Sequence, residues 1–320
     1  MTAAAREAGR YADCVDDALD RLWEVGFEFG PDFAVHAPMV AETMATLGLH
    51  DDVPRWIEVN RKQRGHHVPP AAGEPLPDDP ARARLAALGD YRRVADWVGY
   101  FERRLAERPW REVLVEWWPV LMEGALSAFT HGLIRTAHAV RALRTVPEPS
   151  ALQLNELARG LAYWAGRYTV LPRRLRAEGP RVESAADIPA ALSELTALHA
   201  GRYAETAPYP PIPLVHTVTA PAALRLVLPV LPAELQLSSY AAVVTVAEAV
   251  WKAFPVTPGT GPAAAEGYLP PAGELLVARS VELGEEHAIK LTEACLREDA
   301  LRPDDRYRAA AHTLIANFTV

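Results

Sequence analysis

Lysine is nearly missing from this chain: Lys62, Lys252 and Lys290 stand against thirty arginines. Cysteine is scarcer still. Cys14 and Cys295 lie far apart and form no CxxC pair, which excludes a cysteine zinc site and predicts two reduced, packed thiols. No apolar run approaches the ~18 residues that span a bilayer. The opening stretch Met1–Glu7 lacks an apolar signal core, so no membrane association is expected and cytoplasm is the expected compartment. The formal charge of −8, with no basic run, argues against sequence-independent binding to nucleic acid, which needs a basic surface. Alternating strand patterns are almost absent, the β-branched run Ala241–Val246 excepted.

Several catalytic signatures are missing as well. No Glu-x-x-His occurs, which removes the carboxylate di-iron bundle. His-Glu-x-x-His, the P-loop and the Gly-x-Ser-x-Gly elbow are equally absent. Gly259-Thr260-Gly261-Pro262 resembles a piece of a dinucleotide fingerprint, but no strand precedes it and proline interrupts it.

What is present is helical periodicity, with apolar residues recurring at three- and four-residue steps. It predicts helices over Asp16–Phe29, Phe33–Leu47 and from Asp51 onward, then a Pro/Gly-rich loop over Gly65–Pro80. Further helices are expected at Tyr91–Ala106, Trp110–Leu126, Ala128–Leu143 and Leu152–Tyr168. The Arg-rich stretch 172–187 and the proline-rich stretch Ala207–Pro213 read as connections. Short helices follow near Val215–Thr219, Ala222–Val230 and Ser238–Lys252. After a loop over Pro255–Pro271, two helices close the chain, Gly273–Leu296 and Asp304–Asn317. The expectation is an all-α protein, one multi-helix domain over residues 1–320 with a metal site between helices. The connection at 172–187 is the one plausible subdivision.

Ten histidines separate by neighbourhood. His50, His66 and His67 fall in polar segments and read as solvated, and His199 suits a helix C-terminus. His36, His131, His138, His216, His287 and His312 sit inside apolar helical or helix-start segments. Each buried imidazole needs a polar partner, and one metal ion satisfies several together. In Thr130–His138, residues His131, Arg135 and His138 share one helix face over two turns. The histidines there are ~10 Å apart along the axis, so one suits a metal and the other a substrate contact. Lys290 follows His287 by three residues and shares its face. A buried lysine, unlike an arginine, loses its proton readily. Its amine is then able to act as a base, form a Schiff base or take up carbon dioxide as a carbamate.

Phe33–Met39, Thr130–Arg141, Val215–Thr219 and His287–Ala294, with Arg93–Trp97 and Trp110–Leu114 between them, together resemble the questin oxidase-like family in matching order from about residue 16 to 315. That resemblance implies oxidative opening of a quinone-type ring in an aromatic polyketide, by Baeyer–Villiger-type or dioxygenase chemistry. It implies a non-haem Fe(II) centre with a small aromatic substrate and O2 as partners, and NADPH as an external reductant. By motif, the ligands implied are His36, His131, His216 and His287, with Lys290 as an N-carboxylated ligand; His138 is an alternative. Arg135 and His138 are implied as catalytic groups that bind a phenolate or donate to a developing oxyanion. Trp23, Trp56, Trp97, Trp117 and Trp118 are candidates for a flat apolar pocket. Val35 stands where the family commonly has Asn, and Arg135 where some fungal relatives have another His. Two other readings compete: a metal-dependent hydrolase using a carboxylated lysine, and a non-catalytic binder of a flat hydrophobic metabolite.

Overall fold

The computed structural model describes residues 3–175, 182–206, 212–257, 259 and 261–318. Part of the 172–187 connection, most of Ala207–Pro213 and Thr260 of the glycine fragment lie outside them. The protein is all-α: fourteen α-helices and one two-stranded ribbon are present among the described residues. It divides into two compact units, Met1–Val170 and Leu171–Val320.

In the first unit, α1 (Ala3–Arg21) ends earlier than the periodicity suggests. Val25, Phe27 and Phe29 alternate, and over so short a stretch a period of two is hard to tell from a helix stripe. The chain instead forms a ribbon of β1 (Glu28–Phe29) and β2 (Phe33–Ala34), pairing Glu28 with Ala34 and Phe29 with Phe33. Gly30 and Asp32 turn it with positive φ of 54° and 64°. α2 (Ala37–Thr46) therefore starts four residues later than expected, with Pro38 in its first turn, where a missing N–H costs nothing.

α3 (Val53–Gln63) follows its sequence signals. α4 (Pro80–Ala87) is an addition at the end of the expected loop. Asp79 caps it by accepting the Arg82 N–H, and Pro80 stands just inside. α5 (Val94–Glu107), α6 (Trp110–Glu123), α7 (His131–Thr145) and α8 (Ala151–Gly166) fall where the apolar pattern places them. α8 packs on both α5 and α7. A Cβ on Gly132 would lie 2.5 Å from the Trp164 ring, and one on Gly160 would lie 3.1 Å from Thr136 Oγ1. Glycine on each helix thus lets α7 and α8 approach closely. Trp97, Trp117 and Phe101 pack with Tyr100 as core aromatics, ring centres 5.1–5.8 Å apart, while Trp23 is 53% exposed.

The second unit holds α9 (Ile188–Ala204), for which no element was expected, then α10 (His216–Val227) and α11 (Ala233–Ala253). α10 runs through Pro221, so the two short helices expected there are one. Packing against α9, α11 and α13 (Glu286–Leu301) offsets the hydrogen bond that proline removes. The segment Ile212–Val230 is long and apolar enough to cross a membrane by length and composition, contrary to the expectation from sequence. It is a core element here, with 78% of its apolar window buried. The β-branched run 241–246 is helical within α11.

The single helix expected over Gly273–Leu296 is two, α12 (Gly273–Leu283) and α13. Gly284, at φ 70°, ends the first, a conformation that suits glycine at a helix C-terminus. α14 (Asp305–Asn317) closes the chain.

His199, expected to suit a helix C-terminus, lies in the C-terminal half of α9 and is fully buried. Its Nδ1 accepts the indole N–H of Trp251 at 2.5 Å. Burial, and then Arg202, push its imidazole down to about 3. The unfolded chain therefore binds this proton first, and the stability held above pH ~6.5 is lost as pH falls toward 3. Between pH 6.5 and 5 the loss is ~2 kcal/mol. Urea unfolding of His199→Gln at both pH values is expected to show that slope removed; an unchanged slope would contradict the assignment.

Candidate metal centre

In the first unit His36 and His131 form a buried imidazole pair. Their ring centres are 4.6 Å apart and tilted by 32°, and their ligand nitrogens lie within 4.8 Å of each other. His36 occupies the residue before α2, and His131 opens α7. Three successive non-glycine residues before His131, Ala128, Phe129 and Thr130, hold positive φ of 48°, 54° and 69°. Such strain costs of order 1–3 kcal/mol per residue and survives only where its surroundings impose it. Its local consequence is that the Ala128 carbonyl accepts both the His131 backbone N–H, at 3.1 Å, and the ring Nδ1–H, at 2.6 Å. With Nδ1 as donor, Nε2 carries the lone pair, the arrangement that metal-binding histidines use.

In the second unit His216 opens α10 and His287 lies in the first turn of α13, ring centres 5.8 Å apart. Glu285 caps α13 with one oxygen, accepting the Ala288 N–H at 2.8 Å, and holds His287 Nδ1 with the other, also at 2.8 Å. Burial works against charge on this carboxyl, yet the bonds from His287 and the helix start hold it below its ordinary range. Again the ring's Nε2 is left as the lone-pair nitrogen. Lys290 is one turn further along α13 and 5% exposed. Burial pushes its ammonium down to about 8, against the pull of Glu286 and Glu285, so a useful fraction is neutral amine near pH 7–8.

The two histidine pairs, each within its own unit, offer imidazole nitrogens suited to a metal of intermediate softness, and at His131 and His287 the Nδ1 contact sets the tautomer. Glu285 was not singled out from sequence. The signal was the Gly284–Glu285 break, Gly at a helix end followed by an acidic cap.

Arg135 and His138 remain on α7 with His131, but their side chains are engaged elsewhere in the unit. Arg135, 2% exposed, grips Glu156 of α8 with Nε and Nη2 at 2.7 and 2.9 Å. His138 Nδ1 lies 2.7 Å from Oε2 of Glu42 on α2. That carboxylate also accepts Arg141 through Nε and Nη2 at 2.7 and 2.5 Å, and the Tyr11 hydroxyl at 2.7 Å. A further oxygen–nitrogen set, Glu28, Asp32 and His67, also falls within 4.8 Å. Glu28 there is already held by Arg167 and Tyr163, and Asp32 is exposed. His50, read as solvated, is 9% exposed beside Glu7, and His312 pairs with Tyr268 at 2.7 Å.

No family model and no curated protein matches this chain.

Proposed function

We propose that the chain is a non-haem iron oxidoreductase that oxidatively cleaves the ring of an aromatic polyketide or quinone-type substrate, in the manner of the questin oxidase-like family. The ligands are drawn from His36, His131, His216 and His287, with Lys290 as a carbamate. The observation that carries the reading is Lys290: a buried, easily neutralised amine one turn from a histidine whose Nδ1 is held by a carboxylate.

Bound Fe(II) would supply the one-electron route between an electron-rich ring and O2. The chain's own residues do the rest. Glu285 keeps the Nδ1 proton of His287 in place, and the Ala128 carbonyl does the same for His131. The neutral amine of Lys290 adds through its lone pair to the carbon of CO2 and releases a proton, leaving one anionic oxygen donor. Glu42 holds His138 with Nδ1 toward the carboxylate, which presents Nε2 as the basic nitrogen for a phenol proton. The buried surroundings exclude bulk water and strengthen each of these contacts.

The test is metal analysis of anaerobically purified protein by mass spectrometry, followed by oxygen uptake with a panel of hydroquinones. About one iron per chain with substrate-dependent uptake is the expected result. Stoichiometric zinc without uptake would replace the reading with a hydrolase. No metal after reconstitution with Fe(II) would leave a binding protein.

A further inference from the structure

The chain leaves α6 and enters α7 through a left-handed turn built without glycine at its strained positions. Ala128, Phe129 and Thr130 hold positive φ one after another. L-residues visit that region singly rather than in succession, because Cβ crowds the following carbonyl. None of the three is glycine or asparagine, which adopt it at least cost. A backbone outlier on this scale persists only where the surrounding structure over-determines it, and such outliers cluster at functional sites.

The constraint comes from α8 and the residues that follow it, all within the first unit. The Trp164 indole N–H donates to the Gly124 carbonyl at 3.0 Å. The Thr169 backbone N–H donates to Ser127 Oγ at 2.8 Å, and Ser127 is fully buried. A Cβ on Gly124 would lie 2.6 Å from the Tyr168 ring, and one on Gly132 would lie 2.5 Å from the Trp164 ring. The turn is therefore clamped at Gly124, Ser127 and Gly132, on both sides of the three strained residues. Inside it the Ser127 N–H donates to the Gly124 carbonyl at 2.9 Å, and the Thr130 N–H to the Leu126 carbonyl at 3.2 Å. With its ends held in this way, the left-handed course sets the Ala128 carbonyl against the ring of His131, where it accepts the Nδ1 proton.

We infer that the turn Gly124–Thr130 is a strained positioning device, locked by α8, that fixes His131 as its Nδ1–H tautomer, with Ser127 and Trp164 as the positioning residues. Its use to a metal rests on the iron reading, since a fixed Nδ1–H leaves Nε2 as the nitrogen able to ligate. The tautomer itself is a property of the metal-free chain. Two kinds of substitution then have opposite consequences. Glycine at Ala128 keeps a positive φ without a crowded Cβ, so the geometry stays and the strain falls. Loss of Ser127 Oγ or of the Trp164 N–H leaves the strain and takes away the lock.

The experiment is long-range proton–nitrogen correlation NMR of the imidazoles in the metal-free full chain, isotope-labelled at histidine. It is run at about pH 8, where an ordinary histidine is neutral, with His131 assigned by its loss in His131→Gln. The parent is expected to show His131 as Nδ1–H alone. Ser127→Ala and Trp164→Phe should each bring up the Nε2–H form with an unchanged circular dichroism spectrum. Both should also weaken Co(II), the metal probe, by ~10-fold or more, the scale for groups that orient a ligating histidine. Ala128→Gly should keep the parent's tautomer. An Nε2–H parent overturns the inference, as does Nδ1–H alone in both lock variants, or loss of that form in Ala128→Gly. Tautomers that respond as stated in a chain that takes up no Co(II) sustain the role of the turn and tell against the iron reading alone.

Discussion

Arg141→Met is expected to lower the unfolding free energy by ~3–5 kcal/mol, the cost of leaving a buried charge without its partner. Glu42, 5% exposed, accepts two nitrogens of Arg141, the Tyr11 hydroxyl, His138 Nδ1 and, at 3.1 Å, Thr46 Oγ1. Burial on its own would raise this carboxyl. Arg141 and His138 outweigh it and hold the group well below the ordinary range. Burial, and then the Glu42 carboxylate, push the Tyr11 hydroxyl far up against the opposing Arg141 charge, so it stays a donor.

A carboxyl lowered on folding contributes stability above its unfolded pKa, near 4.5, and loses it as pH falls below that value. In Arg141→Met most of this acid-dependent contribution should vanish. The double variant Glu42→Gln/Arg141→Met, which removes both charges, should recover a large part of the loss, since an apolar replacement for a whole ion pair is often close to neutral. Denaturant midpoints at pH 7 and pH 4 measure both effects. A loss below ~1 kcal/mol in the single variant would mean that the pair behaves as a solvated surface bridge, contrary to its burial.

Lys290→Ala is expected to lose iron and ring-cleaving turnover by at least ~100-fold, above the 10–100-fold typical of residues that merely support metal ligands. Lys290→Met, which keeps the side-chain length, should lose both as well while preserving packing. The two variants together separate the lost nitrogen from the lost volume. Removing CO2 from the buffers should lower iron retention in the parent chain and have no effect on either variant. Normal iron content and turnover in Lys290→Met would remove lysine from the proposed ligand set.

Much of this was legible in residue order. The helical period located α5 to α8, α11 and α14 because each carries an apolar stripe long enough to be told from a strand. The apolar neighbourhoods of His36, His131, His216 and His287 marked them as buried, and each is buried or nearly so. The scarcity of lysine pointed to Lys290, which is buried as well. Less was legible where two elements share one short stretch. Residues 25–34 fit a helix stripe and a ribbon equally well until the turn at Gly30–Asp32 decides between them. The break at Gly284 depends on one positive φ, and a glycine inside a helical pattern signals either tolerance or an end.

Side-chain partners were the least legible. Arg135 and His138 share a face with His131, as helix geometry requires. Which group each one meets depends on which helix packs over that face. α8 brings Glu156 to Arg135, and α2 brings Glu42 to His138. Polar contacts 21 and 96 residues apart in the chain leave no periodic trace, because pairing depends on direction and distance in space.

The amino-acid sequence by itself determined the all-α class, the buried histidines and the singular lysine, since burial and helical period are local properties of residue order. Only the tertiary structure decided the tautomer-setting contacts of His131 and His287, the Glu42 network and the Arg135–Glu156 pair, because a partner across a helix interface is chosen by packing.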